Sequence, residues 1–350
     1  YSDCWVDDAR LVVLNARDAA ARGTDIIVGA RVVEARRDGD GWTVRLADDR
    51  SFRAKVLVNA AGPWVGDVIR DVAHLPSTER VRLVRGSHII VPKLFDHAKS
   101  YFLQGKDGRI VFAIPYENDF TLIGTTDVDH TGPANAAVCT PDEIAYLCRF
   151  VSGYFRRPVT PADVVRTFSG VRPLYDDGAS SATAATRDYV LSLDESGPAC
   201  LHVFGGKITT YRRLAEAALA KLAPHLPHAG GDWTAGAPLP GGDFPVDGVG
   251  ALAEALRRDH PFLTPGWANR LVRAYGTEAA VMLDGATTAQ DLGRDFGATL
   301  TETELAWMMT REWAKSGEDA LWRRSKLGLH MTPDQVAAVD DFVSSRRAAA

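Results

Sequence analysis

The stretch HVFGGKITTYRRLAEAAL, residues 202–219, joins an apolar strand to an amphipathic helix through two glycines and a lysine. From Tyr211 onward, apolar residues recur at helical spacing along one side. Glycine allows a backbone to approach a ligand closely, and the following helix N-terminus adds positive potential to the charge of Lys207. The pattern predicts an anion site, suited to a phosphate or to the anionic ring of a reduced flavin. A plain turn with a solvated lysine explains the same residues.

A second strand, turn and helix precede this stretch. The run VLVNAAGPWV, residues 56–65, is apolar without alternation, as is typical of a buried parallel strand, and it breaks at Gly62-Pro63. The following run WVGDVIRDVAHL, residues 64–75, predicts a helix. Strand, glycine turn and helix together form half of a nucleotide-binding unit. An ordinary βα turn is the alternative interpretation.

Between these two stretches, residues 80–204 have the pattern of an antiparallel sheet. Strand-like runs such as RVRLVRGSHIIVP (80–92) and FTLIGTTD (120–127) are joined by short polar turns. One helix interrupts them near residues 141–154, where Thr140 is the N-cap and Glu143 stands at the capping-box position. The sequence therefore predicts a sheet domain inserted into the nucleotide-binding part.

The two ends of the chain are predominantly helical in pattern. Residues 7–22 predict a helix capped by Asp7 or Asp8, and residues 24–38 predict a strand. The segment 227–246 is rich in glycine and proline and predicts a linker. Beyond it, the pattern predicts an all-α domain with two capping boxes, Thr301 with Glu304 and Thr332 with Gln335.

A few side chains are candidates for chemistry. A phosphomonoester requires planar, permanently charged donors, and Arg172 in FSGVRPLYDD and Arg187 in ATRDY are of that type. His88 lies within a predicted strand, where a neutral imidazole could accept a proton from a substrate hydroxyl. The run GTTD, residues 124–127, could lie at the rim of a site. Surface arginines, a hydrogen-bonded core histidine and a strand-end turn are the alternatives.

The composition excludes several classes of protein. The chain has 40 Lys and Arg against 45 Asp and Glu, without the basic excess of a nucleic-acid-binding protein. Its 4 cysteines have no metal-ligand spacing and are expected to be free thiols, and no metal site is predicted. No apolar run approaches the roughly 20 residues that span a bilayer. The basic run WRRSK, residues 322–326, suggests either a phospholipid contact or a solvated helix face.

Taken together and in this order, the motifs resemble the bacterial aerobic FAD-dependent glycerol-3-phosphate dehydrogenases. The resemblance extends from residue 1 to about residue 335 and rests on YSDCWVDDARL, NAAGPWV, VRGSHIIVP, VFAIPY, IGTTD, FSGVRPL, TRDY, VFGGKITTYRRLAE, PFLT, DLGRDFG and DALWRRSKLG. It implies a mixed α/β (α+β) flavoprotein of the amino-acid-oxidase type, with an antiparallel substrate domain and a helical C-terminal domain. It also implies oxidation of sn-glycerol 3-phosphate to dihydroxyacetone phosphate, with electrons passing from FAD to membrane quinone at the cytoplasmic face of the membrane.

The resemblance also implies roles for individual residues. His88 would be the base, Arg172 and Arg187 would hold the substrate phosphate, and Lys207 would touch substrate and flavin. The remaining positions would contact FAD, on its adenine side or at the flavin ring: Arg31, Val32, Ala60, Ala61, Gly62, Gly205, Gly206, Ile208 and Thr209. An oxygen-using glycerophosphate oxidase and a non-catalytic homologue that acts as a scaffold or as a membrane- or partner-binding module are the alternatives, and a homodimer stays open.

The sequence departs from the family pattern at one place. The family opens with a strand, a GxGxxG turn and a helix that bind the FAD pyrophosphate, and no GxGxxG occurs here. We therefore expect a chain without that N-terminal segment. The expected domains are a partial FAD-binding domain of residues 1–75 and 201–226, a substrate domain of 76–200, the linker 227–246 and a helical domain of 247–350.

Overall fold

The computed structural model describes residues 6–106, 108–176, 188–226 and 230–348. The chain divides into two compact units, Tyr1–Gly29 with Trp233–Ala350, and Ala30–Asp232. This division differs from the predicted domains, because the first helix packs with the C-terminal helices rather than with the nucleotide-binding part. The boundary near residue 232 falls inside the predicted linker, and the other predicted boundaries remain predictions.

The helices and strands are numbered in chain order. The helices are α1 (Asp8–Ala21), α2 (Val65–Asp67), α3 (Pro141–Ser152), α4 (Tyr211–Leu222), α5 (Val249–Asp259), α6 (Pro265–Tyr275), α7 (Glu278–Met282), α8 (Glu302–Arg311) and α9 (Pro333–Ala348). The strands are β1 (Val32–Asp38), β2 (Gly41–Leu46), β3 (Ser51–Ala54), β4 (Leu57–Asn59), β5 (Val81–Pro92), β6 (Tyr101–Gln104), β7 (Ile110–Tyr116), β8 (Phe120–Gly124), β9 (Val128–Asp129), β10 (Arg166–Tyr175), β11 (Tyr189–Asp194), β12 (Cys200–Gly205), β13 (Asp295–Gly297) and β14 (Leu300–Thr301).

The predicted antiparallel sheet is the centre of the unit Ala30–Asp232. Its strand order is β10-β5-β8-β7-β6, and the short β9 also pairs with β5. One face is covered by α3, where Ile89 and Ile123 of the sheet pack with Leu147 and Val151 of the helix. Because side chains alternate along a strand, His88 and Gly124 belong to the opposite face. That face is only partly covered, and its Phe168 is 44% exposed.

Two smaller sheets complete this unit. The order β11-β12-β4 places β4 parallel to β12, as predicted, with Leu57 opposite Cys200. The strand was also predicted to be buried, but Val58 at its centre is 47% exposed. The order β1-β2-β3 forms a separate antiparallel meander. The predicted helix after residue 64 is broken into a 3-10 turn (Gly62–Trp64), the single turn α2 and a π-helical turn (Val68–Val72).

The unit formed by the two chain ends is mainly helical. The helix α1 begins after the N-cap Asp7, whose carboxylate accepts a hydrogen bond from Arg10 N, as predicted. The core of the unit lies among the later helices and includes Leu271, Leu305 and Val339, which are at most 1% exposed. No helix in the described part of the chain is both long and apolar enough to cross a membrane.

Several local expectations are corrected by the structure. The predicted strand of residues 24–38 begins only at Val32, because Gly29 turns the chain with φ of +66°. The predicted all-α domain contains the hairpin β13–β14. The predicted capping box of Thr301 and Glu304 does not form, since Glu304 instead accepts hydrogen bonds from Arg270 and Tyr275. The box of Thr332 with Gln335 is confirmed.

The second half of the predicted linker packs within the helical unit. Residues 227–229 lie outside the described residues, but Gly241 O accepts a hydrogen bond from Thr277 N at 3.0 Å. A Cβ atom on Gly241 would lie 2.1 Å from Tyr275 O, so the backbone packs directly against the end of α6. The second half of the segment 227–246 therefore belongs to the helical unit.

Candidate active site

The turn after β12 has the geometry that the sequence predicts for an anion site. Gly205 and Gly206 have φ of +68° and +99°, a region that residues with a Cβ rarely adopt. A 3-10 turn (Ile208–Thr210) and α4 follow, so a helical N-terminus stands directly beyond the glycines. Lys207 is exposed, and its carbonyl accepts a hydrogen bond from Thr210 N at 3.0 Å. Backbone, helix dipole and ammonium group thus combine positive potential at one place.

The turn after β4 lies at the same end of the β11-β12-β4 sheet, because β4 and β12 are parallel neighbours. The buried Asn59 fixes this turn: its Nδ2 donates to Val65 O at 2.9 Å, and its Oδ1 accepts from Ala61 N at 3.3 Å. Gly62 has φ of +56°, and a Cβ placed on it would meet no atom within 4 Å. Open space therefore adjoins the backbone at the carboxyl end of a parallel strand, where α/β folds bind nucleotides.

The glycine turn after β12 also packs against β10. A Cβ atom on Gly205 would lie 3.5 Å from Pro173 O and 3.7 Å from Tyr175 N. Pro173 follows Arg172 directly in β10. The nucleotide-type turn and the predicted phosphate-binding arginine are therefore close in space.

The guanidinium of Arg172 lies against the backbone of β5 at Gly86. Its Nη1 donates to Asp127 Oδ1 at 2.7 Å, and its Nη2 donates to Thr125 Oγ1 at 3.1 Å. A Cβ atom on Gly86 would lie 2.5 Å from Nη2, so only glycine leaves room for this guanidinium. The Arg172 side chain is 34% exposed. An anion from solvent can therefore reach this cation.

The ring of His88 lies between the ring of Phe168 and the backbone of Gly124. Phe168 and Gly124 are its cross-strand partners on β10 and β8. A Cβ atom on Gly124 would lie 2.1 Å from His88 Cδ2. Within the described residues, the buried Nδ1 atom of His88 has no hydrogen-bond partner.

Burial and the positive charge of Arg172 lower the pKa of His88 from 6.5 to about 4. The imidazole is therefore neutral at pH 7, the protonation state that a general base requires, and it is less basic than a free imidazole.

The structure brings together most of the predicted site residues and separates others. Ala60–Gly62, Gly205–Lys207 and Arg172 meet around β10, and His88 lies further along the same sheet. Arg31 and Val32 stand at the start of β1, in the separate meander sheet, and their contact with adenine remains a prediction. Ile208 and Thr209 form the 3-10 turn before α4. Arg187 lies outside the described residues.

Two residues that shape the site, Gly86 and Phe168, were not predicted from the sequence. Gly124, Thr125 and Asp127 also shape it and belong to the run GTTD. The run GTTD was noted only as a rim candidate. The available signal was the position of glycines within strand-like runs, which often marks close approach of another group.

The remaining sequence features concern metal ligands, thiols and basic residues. No group of three or more His, Cys, Asp or Glu in the described chain could hold a metal ion. Cys139, Cys148 and Cys200 are free thiols, and Cys4 lies outside the described residues. In the basic run 322–326, Arg323 pairs with Glu318, and Lys326 Nζ lies 3.2 Å from Asp7 Oδ1. Arg323 and Lys326 therefore each have a carboxylate neighbour, and the phospholipid contact of this run remains a prediction.

Two family models match the chain. Residues 1–212 match the model "FAD dependent oxidoreductase", and residues 233–345 match "C-terminal domain of alpha-glycerophosphate oxidase". The join between the two models coincides with the boundary between the two compact units near residue 232.

The chain is similar to named bacterial enzymes over nearly its whole length. It is 47% identical to the D-erythritol 1-phosphate dehydrogenase of Brucella abortus, over 97% of this chain and 68% of that protein. It is 44% identical to the aerobic glycerol-3-phosphate dehydrogenase of Escherichia coli, over 98% of this chain and 70% of that protein. It is 46% identical to the glycerol-3-phosphate dehydrogenase of Pseudomonas aeruginosa, over 99% of this chain and 68% of that protein.

A solved structure has the same fold. The glycerol-3-phosphate dehydrogenase from Bacillus halodurans complexed with FAD superposes with a TM-score of 0.77 at 22% identity, covering 97% of this chain and 72% of that chain. The predicted flavoprotein fold with an antiparallel domain and a helical C-terminal domain is confirmed. The chain is an FAD-dependent oxidoreductase and belongs to the glycerol-3-phosphate dehydrogenase family.

Proposed function

We propose that the enzyme oxidises sn-glycerol 3-phosphate to dihydroxyacetone phosphate and passes the electrons through FAD to a quinone. The observation that carries this proposal is the position of His88 and Arg172 on one face of one sheet. Phe168 stacks on His88, and Arg172 is four residues further along the same strand, so all three side chains share that face. A proton acceptor and a phosphate-type cation thus lie on the same face of the sheet.

The residues present fit FAD. Gly62, which adjoins open space, and the pair Gly205-Gly206, which has positive φ, follow adjacent parallel strands at their carboxyl ends, where α/β folds bind nucleotides. Lys207 and the N-terminus beyond it would lie beside the part of the cofactor that gains negative charge on reduction. When bound, FAD supplies the acceptor for the hydride that leaves the alcohol carbon.

Arg172 would bind the phosphate of the substrate. A guanidinium offers planar, paired donors that match phosphate oxygens, and it keeps its charge at any physiological pH. Its contacts to Asp127 and Thr125 fix the plane of the group before a ligand arrives. Arg187 would add a second cation.

His88 would accept the hydroxyl proton of the secondary alcohol. A carbon–oxygen double bond forms when the hydride leaves the carbon and the oxygen loses its proton, and an alkoxide expels hydride more readily than an alcohol. The neutral imidazole accepts that proton, and water takes it from His88 after the product leaves. The flat stack on Phe168 fixes the ring plane while this happens.

A four-carbon polyol phosphate is the second candidate substrate. The observation that favours it is the 47% identity to a D-erythritol 1-phosphate dehydrogenase, beside 44% and 46% to two glycerol-3-phosphate dehydrogenases. Both substrates carry a phosphate for Arg172 and a hydroxyl for His88. The two candidates therefore differ in chain length rather than in the chemistry of the site.

The test is anaerobic mixing of the FAD-loaded protein with each candidate, while the visible absorbance of oxidised flavin is followed. Rapid bleaching by sn-glycerol 3-phosphate, and slow bleaching by glycerol, is the expected result. Faster bleaching by D-erythritol 1-phosphate would transfer the assignment to the second candidate. Protein that no polyol phosphate bleaches would contradict the proposed reaction.

The acceptor and the location are tested separately. We propose that the reduced enzyme is reoxidised by a quinone and that it works at the cytoplasmic face of the membrane as a peripheral protein. Reoxidation by a soluble quinone analogue should be much faster than by dissolved oxygen. The reverse order would indicate an oxygen-using glycerophosphate oxidase.

A further inference from the structure

A buried carboxylate lies behind the sheet face that carries the site. Glu143, at the start of α3, is 6% exposed. Its Oε2 completes the predicted capping box by accepting from Thr140 N at 3.0 Å. Its Oε1 accepts from Ser87 Oγ at 2.9 Å and from Thr126 Oγ1 at 2.8 Å. A helix cap does not need the last two bonds, which connect α3 to β5 and to the turn after β8.

Thr126 is thereby fixed within the turn 124–127. Besides the bond to Glu143, Thr126 Oγ1 accepts from Ser87 N at 2.9 Å, and Thr126 N donates to Ser87 O at 3.3 Å. Thr126 is 2% exposed. A buried residue with three such bonds cannot shift without leaving polar groups unpaired.

The two neighbours of Thr126 hold Arg172. Thr125 Oγ1 and Asp127 Oδ1 accept from the two terminal nitrogens of the guanidinium at 3.1 and 2.7 Å. The same turn therefore touches Glu143 on one side of the sheet and Arg172 on the other. An arginine side chain has about 2 kcal/mol of rotamer entropy, so fixing it in advance strengthens the binding of an anion.

We propose that Asp127 and Glu143 are positioning residues for recognition of the substrate phosphate. Asp127 sets the direction of the Arg172 guanidinium, and Glu143 keeps Asp127 in place from behind the sheet. The proposal rests on the proposed function, in which Arg172 binds the phosphate. Neither carboxylate touches the substrate in this scheme, because each acts through the turn 124–127.

The experiment compares the variants Asp127→Asn and Glu143→Gln with a matched control in the FAD-loaded full chain. The control is Asp163→Asn, because Asp163 accepts from Thr160 N and Thr160 Oγ1 at 2.8 Å in a capping box of the same kind. Asp163 pairs with Arg157, as Glu143 pairs with Arg85, and it lies in the 3-10 turn Pro161–Asp163 outside the site. Loss of a cap alone should therefore affect the control and the Glu143 variant alike.

Two kinds of measurement give three quantities for each variant. The first is the KM for sn-glycerol 3-phosphate beside the limiting rate of flavin reduction. The second is the Kd for inorganic phosphate by calorimetry, which needs no turnover. We expect Asp127→Asn and Glu143→Gln to raise KM and Kd by about tenfold, the effect of losing one charge-assisted contact. The limiting rate should stay within about threefold, and Asp163→Asn should change none of the three.

A double-mutant cycle with Arg172→Lys shows whether Asp127 acts through Arg172. In the Arg172→Lys background, Asp127→Asn should add less than about twofold to KM, since the group that it positions is already altered. Independent, multiplicative effects would overturn the proposal, as would KM and Kd values that do not move in the single variants. If Glu143→Gln does not fold, Thr126→Val removes one bond to the same carboxylate and should raise Kd in the same direction.

The outcomes also separate this proposal from the proposed function. Phosphate affinity that depends on Asp127, in a protein that sn-glycerol 3-phosphate does not reduce, supports the positioning role and contradicts the proposed substrate. Flavin reduction by sn-glycerol 3-phosphate with a KM that is insensitive to Asp127 and Glu143 overturns the positioning role and leaves the proposed substrate standing.

Discussion

The imidazole of His88 and the phenyl ring of Phe168 stack with their centroids 4.7 Å apart and their planes 8° apart. The two residues face each other across β5 and β10. Gly124 of β8 closes the other side of the imidazole. The ring therefore has one available orientation, which suits a group that must meet a hydroxyl at a fixed place.

Removal of the imidazole should slow the chemical step. We expect His88→Ala to retain FAD binding and the fold but to slow flavin reduction by about 10²–10⁴-fold, the usual effect of losing a general base. Anaerobic stopped-flow spectroscopy measures this step without interference from reoxidation. His130→Ala is the control, because the half-buried ring of His130 bonds to Pro133 O, three residues along the chain, at 3.2 Å. Near-normal reduction by His88→Ala would exclude His88 as the base.

The lowered pKa of His88 has a consequence for the pH dependence. Because its folded pKa is about 4 rather than 6.5, the imidazole stays unprotonated across most of the acid range. The rate of flavin reduction should therefore not decrease near pH 6.5 because of this group. The acid limb of the pH profile, where the rate decreases as the imidazole is protonated, should lie below about pH 5. Phe168→Ala admits water to the ring and should move that limb upward. An acid limb at pH 6.5 in the unaltered enzyme would contradict this prediction.

The same pKa links pH to folding. Between pH 6.5 and about 4 the unfolded chain carries the His88 proton and the folded chain does not, so stability falls as pH falls through this window. His88→Gln should remove this part of the slope. The measurement is the denaturation midpoint at several pH values between 4 and 7, compared for the two proteins. Parallel curves would show that His88 does not contribute.

A methyl group at Gly124 should displace the imidazole. The added Cβ would lie 2.1 Å from His88 Cδ2, a distance that requires the ring or the strand to move. We expect Gly124→Ala to destabilise the protein by about 1–3 kcal/mol and to slow flavin reduction. Gly170→Ala is the control for stability, because a Cβ there meets nothing within 4 Å. Equal stability of the two variants would show that the imidazole yields easily.

Residue spacing along the sequence predicted those features of the fold that depend only on residues close together in the chain. Thr140 and Glu143 stand three residues apart, and their capping box is present, with both of its bonds. The same spacing at Thr301 and Glu304 was a wrong prediction, because Glu304 has stronger partners in Arg270 and Tyr275. A spacing rule cannot include a competing partner that only tertiary packing supplies.

The surroundings of the candidate site show the same limit. His88, Arg172 and the glycine turns were predicted because residue type and motif indicate them. The roles of Phe168, Gly124 and Asp127 depend on the register of β5 with β10 and β8, which a period-two pattern does not specify. Their contacts with His88 and Arg172 become visible only when the strands are aligned.

Arg172 should distinguish phosphorylated from unphosphorylated substrates. Arg172→Lys keeps the positive charge but loses the planar donor pair. We expect it to lower kcat/KM for sn-glycerol 3-phosphate by about ten- to a hundred-fold, as follows from the loss of one or two charge-assisted hydrogen bonds. The effect on glycerol, measured under the same conditions, should be much smaller. Equal losses on both substrates would show that Arg172 does not bind the phosphate.

A buried ion pair joins α1 to the later helices of its unit. Arg10 Nη1 lies 2.7 Å from Glu312 Oε2, with side-chain exposures of 7% and 0%. The guanidinium also stands 4.9 Å from the centre of the Tyr275 ring. Arg10 and Glu312 are distant in sequence, so this contact helps to place the first helix with the C-terminal unit.

Removing one partner of this pair should lower the free energy of unfolding strongly, whereas replacing both partners should not. Arg10→Met leaves the Glu312 carboxylate buried without its cation, and we expect a loss of about 3–5 kcal/mol in the free energy of unfolding. Adding Glu312→Leu should restore most of that loss, because no uncompensated charge then remains. Chemical denaturation of both variants measures the difference, with Arg323→Ala as an exposed control that should change stability by at most about 1 kcal/mol. A double variant as unstable as the single one would show that packing of the Arg10 side chain, rather than its charge, stabilises the unit.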